Sequence, residues 1–433
     1  MPPVRLTWRM EQALEREPAP AGTRMNDMAS SEDRAAGRQP LAGLRVLDMS
    51  QVMAGPFCCM LLGDMGADVI KIEPPGVGDQ TRKSMGFRMK GEDSPGFLAL
   101  NRNKRSMTLN LKSEGGRKVL HRLVETADIL VENSRPGVSR KLGADYETLS
   151  KINPRLIYAS ISGFGQTGPW SQRPGFDLIA QAMAGVISAT GLQGAEPVKS
   201  GIPLGDLGAG MFAAYGILSA VIGRQASGRG QYVDTSLLEA ALALSVWEST
   251  EYWATGKSPG PLGTANRMSA PYQAFAGSDG YFVVGAANQK LWLIFCDVIG
   301  RPDLRDDPRY ASNVDRVQKR DELAERLKPV FRDKPIDHWV DAFLRAGVPA
   351  APIYDYSRAL DNEHVRARNS VIEIEHPVEG RFRALGFAAK LSETPARVRL
   401  PPPLLGQHTE EILRELGLAG AQPELALEGA FSV

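Results

Sequence analysis

The sequence predicts an α/β protein whose larger domain is a doubly wound parallel β-sheet, with a smaller second domain further along the chain. Short apolar runs rich in β-branched residues alternate with helical segments, a spacing typical of parallel βαβ units. The chain has 433 residues, and a single core rarely grows past about 300, so we expect two domains. A segment rich in Gly and Pro at 256–270 is the predicted entrance to the second one.

Four predicted strands build the first part of the sheet. They lie at 44–48, 67–72, 128–132 and 155–161, with helices at 55–62 and 115–126 and a helical segment at 146–152. Ligands bind beyond the carboxyl ends of the strands in such sheets. We therefore expect a site in the segments that follow Asp48, Ile72, Glu132 and Ile161.

The remaining elements complete the predicted domain organisation. The patterns predict an apolar, buried helix at 207–222, a strand at 232–236, a long helix at 237–255, a strand at 280–285, helices at 289–299 and 320–331, a strand at 348–353, a Pro-rich linker at 401–408 and a last helix at 409–416. We expect a disordered tail (1–40), the N-terminal part of the large domain (41–235), a linker helix with the small domain (236–345), and a return to the large domain with a C-terminal tail (346–433).

Composition and charge argue against several classes of protein. The net charge of +1 gives no excess of positive charge for nucleic acid or an anionic membrane. The apolar run at 207–222 is shorter than the ~20 residues of a membrane span, and the first forty residues lack the apolar run of a signal peptide. Cys58, Cys59 and Cys296 are too few for a disulfide framework and lack metal-site spacing, so we expect a cytoplasmic protein without a metal.

Asp206 is the strongest candidate for a reactive group. The segment 200–210 reads Ser-Gly-Ile-Pro-Leu-Gly-Asp-Leu-Gly-Ala-Gly and places this carboxylate between glycines at the start of the apolar helix. A helix N-terminus stabilises an anion, and the glycines allow a ligand to come close. This suits a carboxylate that attacks a carbonyl, with free backbone N–H groups for the oxyanion. The alternative is an Asp N-cap, which by itself explains an Asp at this position.

A glycine-rich segment and two basic clusters indicate a ligand-binding surface. Gly163-Phe-Gly165-Gln-Thr-Gly168 matches the dinucleotide fingerprint, but prolines interrupt the following helix and the expected acidic residue is missing. We interpret it as a flexible loop over a ligand. The basic residues near strand ends suit a polyanion, against the alternative of solvated surface. They are Lys104, Arg105 and Lys112 in one cluster, and Arg135, Arg140 and Lys141 in the other.

A series of motifs in fixed order is more specific. They read Leu-Asp-Met-Ser-Gln-Val-Met-Ala-Gly-Pro (47–56), Gly-Ala-Asp-Val-Ile-Lys-Ile-Glu (66–73), Asn-Arg-Asn-Lys-Arg-Ser (101–106), Val-Glu-Asn (131–133), Leu-Gly-Asp (204–206), Gly-Arg-Gly-Gln (228–231) and Leu-Gly-Gln-His-Thr (405–409). With these motifs the chain resembles the family III CoA-transferases, the formyl-CoA transferase and carnitine CoA-transferase family, over residues 40–416. The segments 163–169 and 397–409 look most like the succinyl-CoA:dicarboxylate (glutarate-type) members.

The resemblance implies a fold, a nucleophile and a set of CoA-binding positions. The nucleophile is the aspartate of Leu-Gly-Asp, at Asp206. The CoA-binding positions are Met53, Ala54, Leu109, Asn110, Leu111, Lys112, Asn133, Ser134, Arg135, Lys141, Pro174, Gly175, Phe176 and Asp177. A large domain built from both chain ends, a small inserted α+β domain and an interlocked-ring homodimer are also implied. The resemblance further implies that the protein acts on an acyl-CoA and a free carboxylic acid. The CoA thioester is then a substrate, and no cofactor stays bound.

Two departures from the family pattern shape the predicted reaction. Met53 stands where formyl-CoA transferase has a glutamine that contacts the substrate, and Pro74 replaces an arginine that holds CoA, which argues against formate and oxalate. We predict transfer from succinyl-CoA to a dicarboxylate, with Arg267 as a candidate for binding its free carboxylate.

Two alternatives to the transferase stay open. The α-methylacyl-CoA racemases of the same superfamily carry a histidine where this chain has Phe176. Racemisation needs acid and base groups on both faces of the α-carbon, and a phenyl ring cannot accept a proton. The second alternative is a CoA-binding protein without catalytic activity.

Overall fold

The computed structural model describes residues 39–84 and 88–432. The predicted tail therefore lies outside the described residues except for its last two positions. Of these, Gln39 is buried, and its Nε2 donates to the backbone oxygen of Asp64 at 3.2 Å. The first described residue therefore packs against the large domain.

Six parallel strands form the central sheet, which confirms the predicted α/β class with a parallel sheet. They are β1 (Arg45–Asp48), β2 (Asp68–Glu73), β3 (Lys104–Thr108), β4 (Ile129–Glu132), β5 (Ile157–Ser162) and β6 (Tyr232–Ser236). The order across the sheet is β3-β2-β1-β4-β5-β6, with every pair parallel. The strand order reverses between β1 and β4, the point at which such sheets bind ligands.

Helices cover both faces of this sheet. Those of the first half are α1 (Ala54–Asp64), α2 (Pro95–Leu100), α3 (Glu114–Val124), α4 (Val138–Lys141), α5 (Tyr146–Ile152), α6 (Asp177–Met183), α7 (Val186–Ala189), α8 (Leu204–Ser227), α9 (Leu237–Ala243) and α10 (Val246–Thr255). Side chains alternate along each strand, so Val46 packs under α1 and α8 while Leu47 packs under α3 on the other face.

A second sheet with its own core follows. Its antiparallel strands are β7 (Tyr272–Ala276), β8 (Tyr281–Gly285) and β9 (Ala350–Pro352), in the order β7-β8-β9. Aromatic side chains such as Phe282, Trp292 and Phe343 fill this core. The helices here are α11 (Gln289–Val298), α12 (Pro302–Arg305), α13 (Asn313–Gln318), α14 (Arg320–Phe331) and α15 (Ile336–Arg345).

The chain then returns to the first sheet. After α16 (Tyr356–Asp361) and α17 (Glu363–Ala367), the hairpin of β10 (Val371–His376) and β11 (Gly380–Leu385) packs near α2. The last helices are α18 (Thr409–Glu415) and α19 (Gln422–Leu427). Ile412 and Leu413 of α18 are fully buried in the same core as Leu47. Residues from both ends of the described chain therefore cover one face of the large sheet.

Three local predictions differ from the structure. The basic cluster around Lys104 is strand β3: Lys104 Nζ lies 2.8 Å from Asp48 Oδ2, and Arg105 pairs with Asp68 at 2.7 Å. Both cations are buried and internally paired, so they do not hold a phosphate. The helix predicted at 237–255 breaks at Leu244 and Ser245, where α9 ends and α10 begins.

Helix α8 is longer and more exposed than predicted. Its small residues face the sheet, and a Cβ at Gly210 would lie 2.6 Å from the backbone oxygen of Ala54 on α1. The opposite face leaves Met211, Tyr215 and Ile222 exposed. By length and composition α8 is the one helix among the described residues that meets the criteria for a membrane span, as core helices also do.

Candidate active site

A cleft of about 380 Å³ opens at the carboxyl ends of β1, β4 and β5. This is the edge of the sheet where the order of parallel strands predicts a ligand site. The walls are the loop at 49–53, the loop at 133–136, the turn at 162–163 and the loop at 173–176, and Asp206 of α8 lies against them. The cleft therefore joins the Leu-Gly-Asp segment to the first strand–helix connection.

The cleft brings together eight of the sequence-predicted site residues. They are Met53, Ala54, Asn133, Ser134, Arg135, Gly175, Phe176 and Asp206. Phe176 is 72% exposed, so its ring stands at the cleft with little protein around it. Pro174 lies within the 173–176 loop and Asp177 follows it, but neither of these two residues lines the cleft.

The other predicted positions lie further along the sheet edge. Residues 109–112 follow β3: Leu109 is buried in the core, and Lys112 is exposed. Asn110 is covered by the C-terminal segment, because its backbone N–H donates to Ala430 and its Nδ2 donates to the backbone oxygen of Ser432. Lys141 is exposed at the end of α4.

Asp206 is not the N-cap of its helix, so the alternative reading of this residue is wrong. Helix α8 begins at Leu204, which makes Asp206 its third residue. The cap comes from another helix: Asp177 Oδ1 accepts from the backbone N–H of Gly205 at 2.8 Å and of Asp206 at 3.3 Å. A Cβ at Gly205 would lie 3.1 Å from that oxygen, which explains the glycine before Asp206.

The Asp177 carboxylate is itself held in place. Gln181 Nε2 donates to Asp177 Oδ2 at 2.7 Å, and Gln181 Oε1 accepts from the backbone N–H of Ser200 at 3.0 Å. The N–H groups at the start of α8 are therefore occupied by a carboxylate. The expectation that they stand free for an oxyanion is wrong in this structure.

The Asp206 carboxylate remains unpartnered, which suits a reactive group. Within residues 39–84 and 88–432, no group donates a hydrogen bond to its oxygens. Burial, and then the nearby charge of Asp177, raise the pKa of Asp206 to about 6. A carboxylate with this pKa is still mainly ionised at pH 7, and it is more basic than an ordinary aspartate.

Of the glycine-rich segment 163–168, Gly163 lines the cleft, and the expected position of the segment over a ligand stays a prediction. Gly163 and Gly175 cross so closely that a Cβ at either would lie 2.9 Å from the Cα of the other. Gly165 and Gly168 have φ angles of +87° and +84°, which side chains rarely adopt. The segment is a folded turn without a following long helix, which is why it is not a dinucleotide site.

The cleft residues that sequence reasoning missed include Gln51, Val52 and Arg173. Gln51 and Val52 lie in the loop after β1, where we expect a ligand, but their residue types carry no signal. The Arg173 guanidinium carbon stacks 4.6 Å from the ring centre of Trp170. Arg267, the candidate for the free carboxylate of the substrate, has its guanidinium 3.2 Å from Glu251 and 3.6 Å from Glu248 instead.

Comparisons with known proteins agree on one family. The sequence model of CoA-transferase family III matches residues 41–409. Succinyl-CoA:glutarate CoA-transferase of Mus musculus is 39% identical over 378 residues, covering 87% of this chain and 86% of that protein. Succinate–glutarate CoA-transferase of Agrobacterium fabrum is 35% identical over 389 residues, covering 88% and 96%. The crystal structure of a CAIB/BAIF family protein from Brucella suis superposes with a TM-score of 0.78 at 35% identity, covering 87% of this chain and 99% of that one.

Proposed function

The chain belongs to CoA-transferase family III, and from this premise we propose that it moves CoA from succinyl-CoA to a dicarboxylic acid. The observation that carries the mechanism is Asp206, an unpartnered carboxylate with a raised pKa at the wall of the cleft. The relatives named for succinyl-CoA and glutarate support the substrate pair.

The first half of the reaction transfers CoA to the enzyme. An Asp206 carboxylate oxygen attacks the thioester carbonyl carbon of succinyl-CoA, and the C–S bond breaks. CoA leaves as thiolate, and a mixed anhydride joins Asp206 to the succinyl group. The thiolate then attacks the aspartyl carbonyl carbon, which releases succinate and leaves Asp206 as a CoA thioester.

The second half reverses these steps with the acceptor. A carboxylate oxygen of the dicarboxylic acid attacks the aspartyl carbonyl and displaces CoA thiolate, forming a second anhydride. Thiolate attack on the acceptor's carbonyl gives the new acyl-CoA and restores the Asp206 carboxylate. The acyl group stays activated throughout, so the proposed reaction requires neither ATP nor a metal or resident cofactor.

One arginine of the cleft, Arg173, favours an acceptor that keeps a negative charge, because Arg135 is among the positions expected to bind CoA. A dicarboxylate bound for attack retains one free carboxylate. Arg173 lines the cleft, is exposed, stacks on Trp170 and forms no ion pair with any other described residue. Arg267 is already paired, so Arg173 replaces it as the candidate for the free carboxylate.

Mass spectrometry of a mixed-acceptor reaction tests the function. Purified protein is incubated with succinyl-CoA and a pool of mono- and dicarboxylic acids, and new CoA thioesters are sought. We expect thioesters of dicarboxylic acids such as glutarate. If no new thioester forms while branched acyl-CoAs exchange their α-hydrogen in D2O, the racemase-type alternative replaces this proposal; if neither occurs in a folded, CoA-binding protein, the catalytically silent alternative does.

The pH dependence should follow the pKa of Asp206. The nucleophile must be ionised, so kcat/KM for succinyl-CoA should fall as the pH drops below about 6. Asp177→Asn should move this acid limb to lower pH, since it removes the negative charge that helps raise the pKa, while its amide oxygen still accepts from Gly205 and Asp206. A pH–rate profile measures this. If the acid limb of the profile stays at the same pH in Asp177→Asn, Asp177 has no electrostatic effect on the nucleophile.

We also propose that the protein is a cytoplasmic homodimer with interlocked subunits. Helices α8 and α10 expose large apolar side chains, among them Tyr215 at 71% and Trp253 at 75%, more than a monomer usually leaves in water. Sedimentation equilibrium should give twice the subunit mass of 47.0 kDa. Trp253→Asp should weaken the dimer, and a wild-type monomer at micromolar concentration would contradict the proposal.

A further inference from the structure

The loop at 49–53 contains the most strained backbone of the cleft. Val52 has a φ of +70°, in the left-handed region. Among the described residues, the other non-glycine positions with positive φ are Asn103 and Asn369, and asparagine tolerates this region. A β-branched residue there is a genuine outlier, and such strain persists only where the surroundings fix it.

Side-chain contacts to its main chain fix this loop. The backbone N–H of Val52 donates to Asp79 Oδ1 at 3.2 Å, and the backbone oxygen of Ser50 accepts from Lys71 Nζ at 3.0 Å. Asn133 holds the residue between them: its Oδ1 accepts from the N–H of Gln51 at 2.8 Å, and its Nδ2 donates to the oxygen of Gln51 at 2.7 Å. Side chains from β2 and from the segments after β2 and β4 therefore set the loop's conformation.

Asp79 is in turn held by buried charges. Lys71 is fully buried, and its Nζ lies 2.8 Å from Asp79 Oδ2 and 3.8 Å from Asp48 Oδ2. The backbone N–H of Asp79 donates to Glu73 Oε1 at 2.9 Å. Asp79 Oδ1 also accepts from both the N–H and the hydroxyl of Thr81, at 2.9 and 2.7 Å. With so many fixed partners, the carboxylate cannot turn away from Val52.

We propose that Asp79, held by Lys71, is a positioning residue that keeps Val52 left-handed and so presents Met53 and Ala54 to CoA. The φ of Val52 sets the direction in which the chain enters α1, whose first residue is Ala54. No side chain caps the start of α1, so its position depends on the loop before it. This inference rests on the proposed function, because it assigns a role in CoA binding.

Calorimetric titration with CoA tests the proposal without turnover. Asp79→Ala should weaken CoA binding about 10-fold, because Val52 then relaxes out of the left-handed region. Adding Val52→Gly should restore the affinity to within about 3-fold of wild type, since glycine adopts a positive φ freely. Adding Val52→Thr should not, because threonine is also β-branched. Absence of rescue by glycine, or equal rescue by both residues, would overturn the proposal.

Asp64→Ala is the matched control for a general loss of stability. Asp64 is a buried carboxylate at the other end of α1, paired with Arg102 at 2.7 Å and remote from the loop. Its removal should lower the melting temperature but change CoA affinity less than 2-fold. If Asp79→Ala and Asp64→Ala lose CoA affinity equally, Asp79 has only a structural role and the proposal is wrong. If Asp79→Ala does not fold, the same comparison is made with Asp79→Leu, which has a similar size and no acceptor for the N–H of Val52.

The two proposals fail in different ways. If no acid accepts CoA but glycine still rescues binding in the Asp79 variant, the proposed function is wrong and the positioning role stands. If dicarboxyl-CoA thioesters form but glycine does not rescue, the positioning role is wrong and the function stands.

Discussion

Asp206→Asn should abolish CoA transfer, lowering kcat by at least about 10⁴-fold, as expected when a covalent nucleophile is removed. The amide has the size of the carboxylate but cannot attack a thioester. Since Asp206 lines the cleft without holding any other described group, CoA should bind the variant with nearly wild-type affinity. Initial rates of thioester exchange and calorimetric titration measure the two effects.

The same variant should be more stable than the wild type near neutral pH. Burial and Asp177 raise the pKa of Asp206 from 3.8 to about 6, so the folded protein binds this proton more tightly than the unfolded chain. The contribution of protonated Asp206 to the free energy of unfolding is fully present below about pH 4, and it is lost as the pH rises through about 6. The ionised carboxylate thus costs up to about 3 kcal/mol at pH 7, which asparagine avoids.

Residual activity and thermal unfolding together separate the two roles of Asp206. A variant that keeps transferring CoA at near wild-type rates would exclude the nucleophile. A fall in melting temperature would mean that the carboxylate stabilises the helix after all. Asp206→Glu is a useful control, because it keeps the charge but displaces it by one methylene, which should cost about 10²-fold in rate.

Asp48→Ala should destabilise the protein by about 3–5 kcal/mol, the range expected when one partner of a buried ion pair is removed. Asp48 and Lys104 are fully buried and 2.8 Å apart. Without Asp48, Lys104 keeps two neutral acceptors, the backbone oxygen of Pro56 and Asn101 Oδ1, each at 2.9 Å. Its charge is then uncompensated inside the core. Chemical denaturation followed by circular dichroism measures the loss.

The double variant Asp48→Ala/Lys104→Met is the control for this prediction. It removes the orphaned ammonium as well, so much of the lost stability should return. If the double variant is less stable than Asp48→Ala, the loss comes from packing and not from the buried charge.

The wild type should also lose stability in acid through Asp48. Its two lysine partners lower the pKa of Asp48 to about 2 despite the opposing effect of burial. The contribution of the ionised Asp48 to the free energy of unfolding is fully present above the pKa of the unfolded chain, near 4. It disappears as the pH falls through about 2.

Much of the large domain was predictable because its signals are local. An apolar run of strand length, followed by a helical pattern, gives the same parallel unit wherever it occurs, so β1, β2, β4 and β5 were found close to their bounds. Strand β3 was not predicted, because its mainly polar sequence, Lys-Arg-Ser-Met-Thr, is typical of an exposed segment. The break at Leu244 was also missed, because no Gly or Pro marks it.

The sequence by itself determined the family, the parallel sheet and the position of Asp206 at the start of a helix. Only the tertiary structure decided that Asp177, 29 positions away, caps that helix, and that Arg105 is neutralised by Glu415, 310 positions away. Propensities and periodicities describe what a residue does with neighbours a few positions along the chain. Contacts between distant segments of the chain decide whether a charged group faces water or a buried partner. In the cleft, they place Asp177 at the start of α8 and leave the Asp206 carboxylate without a hydrogen-bond donor among the described residues.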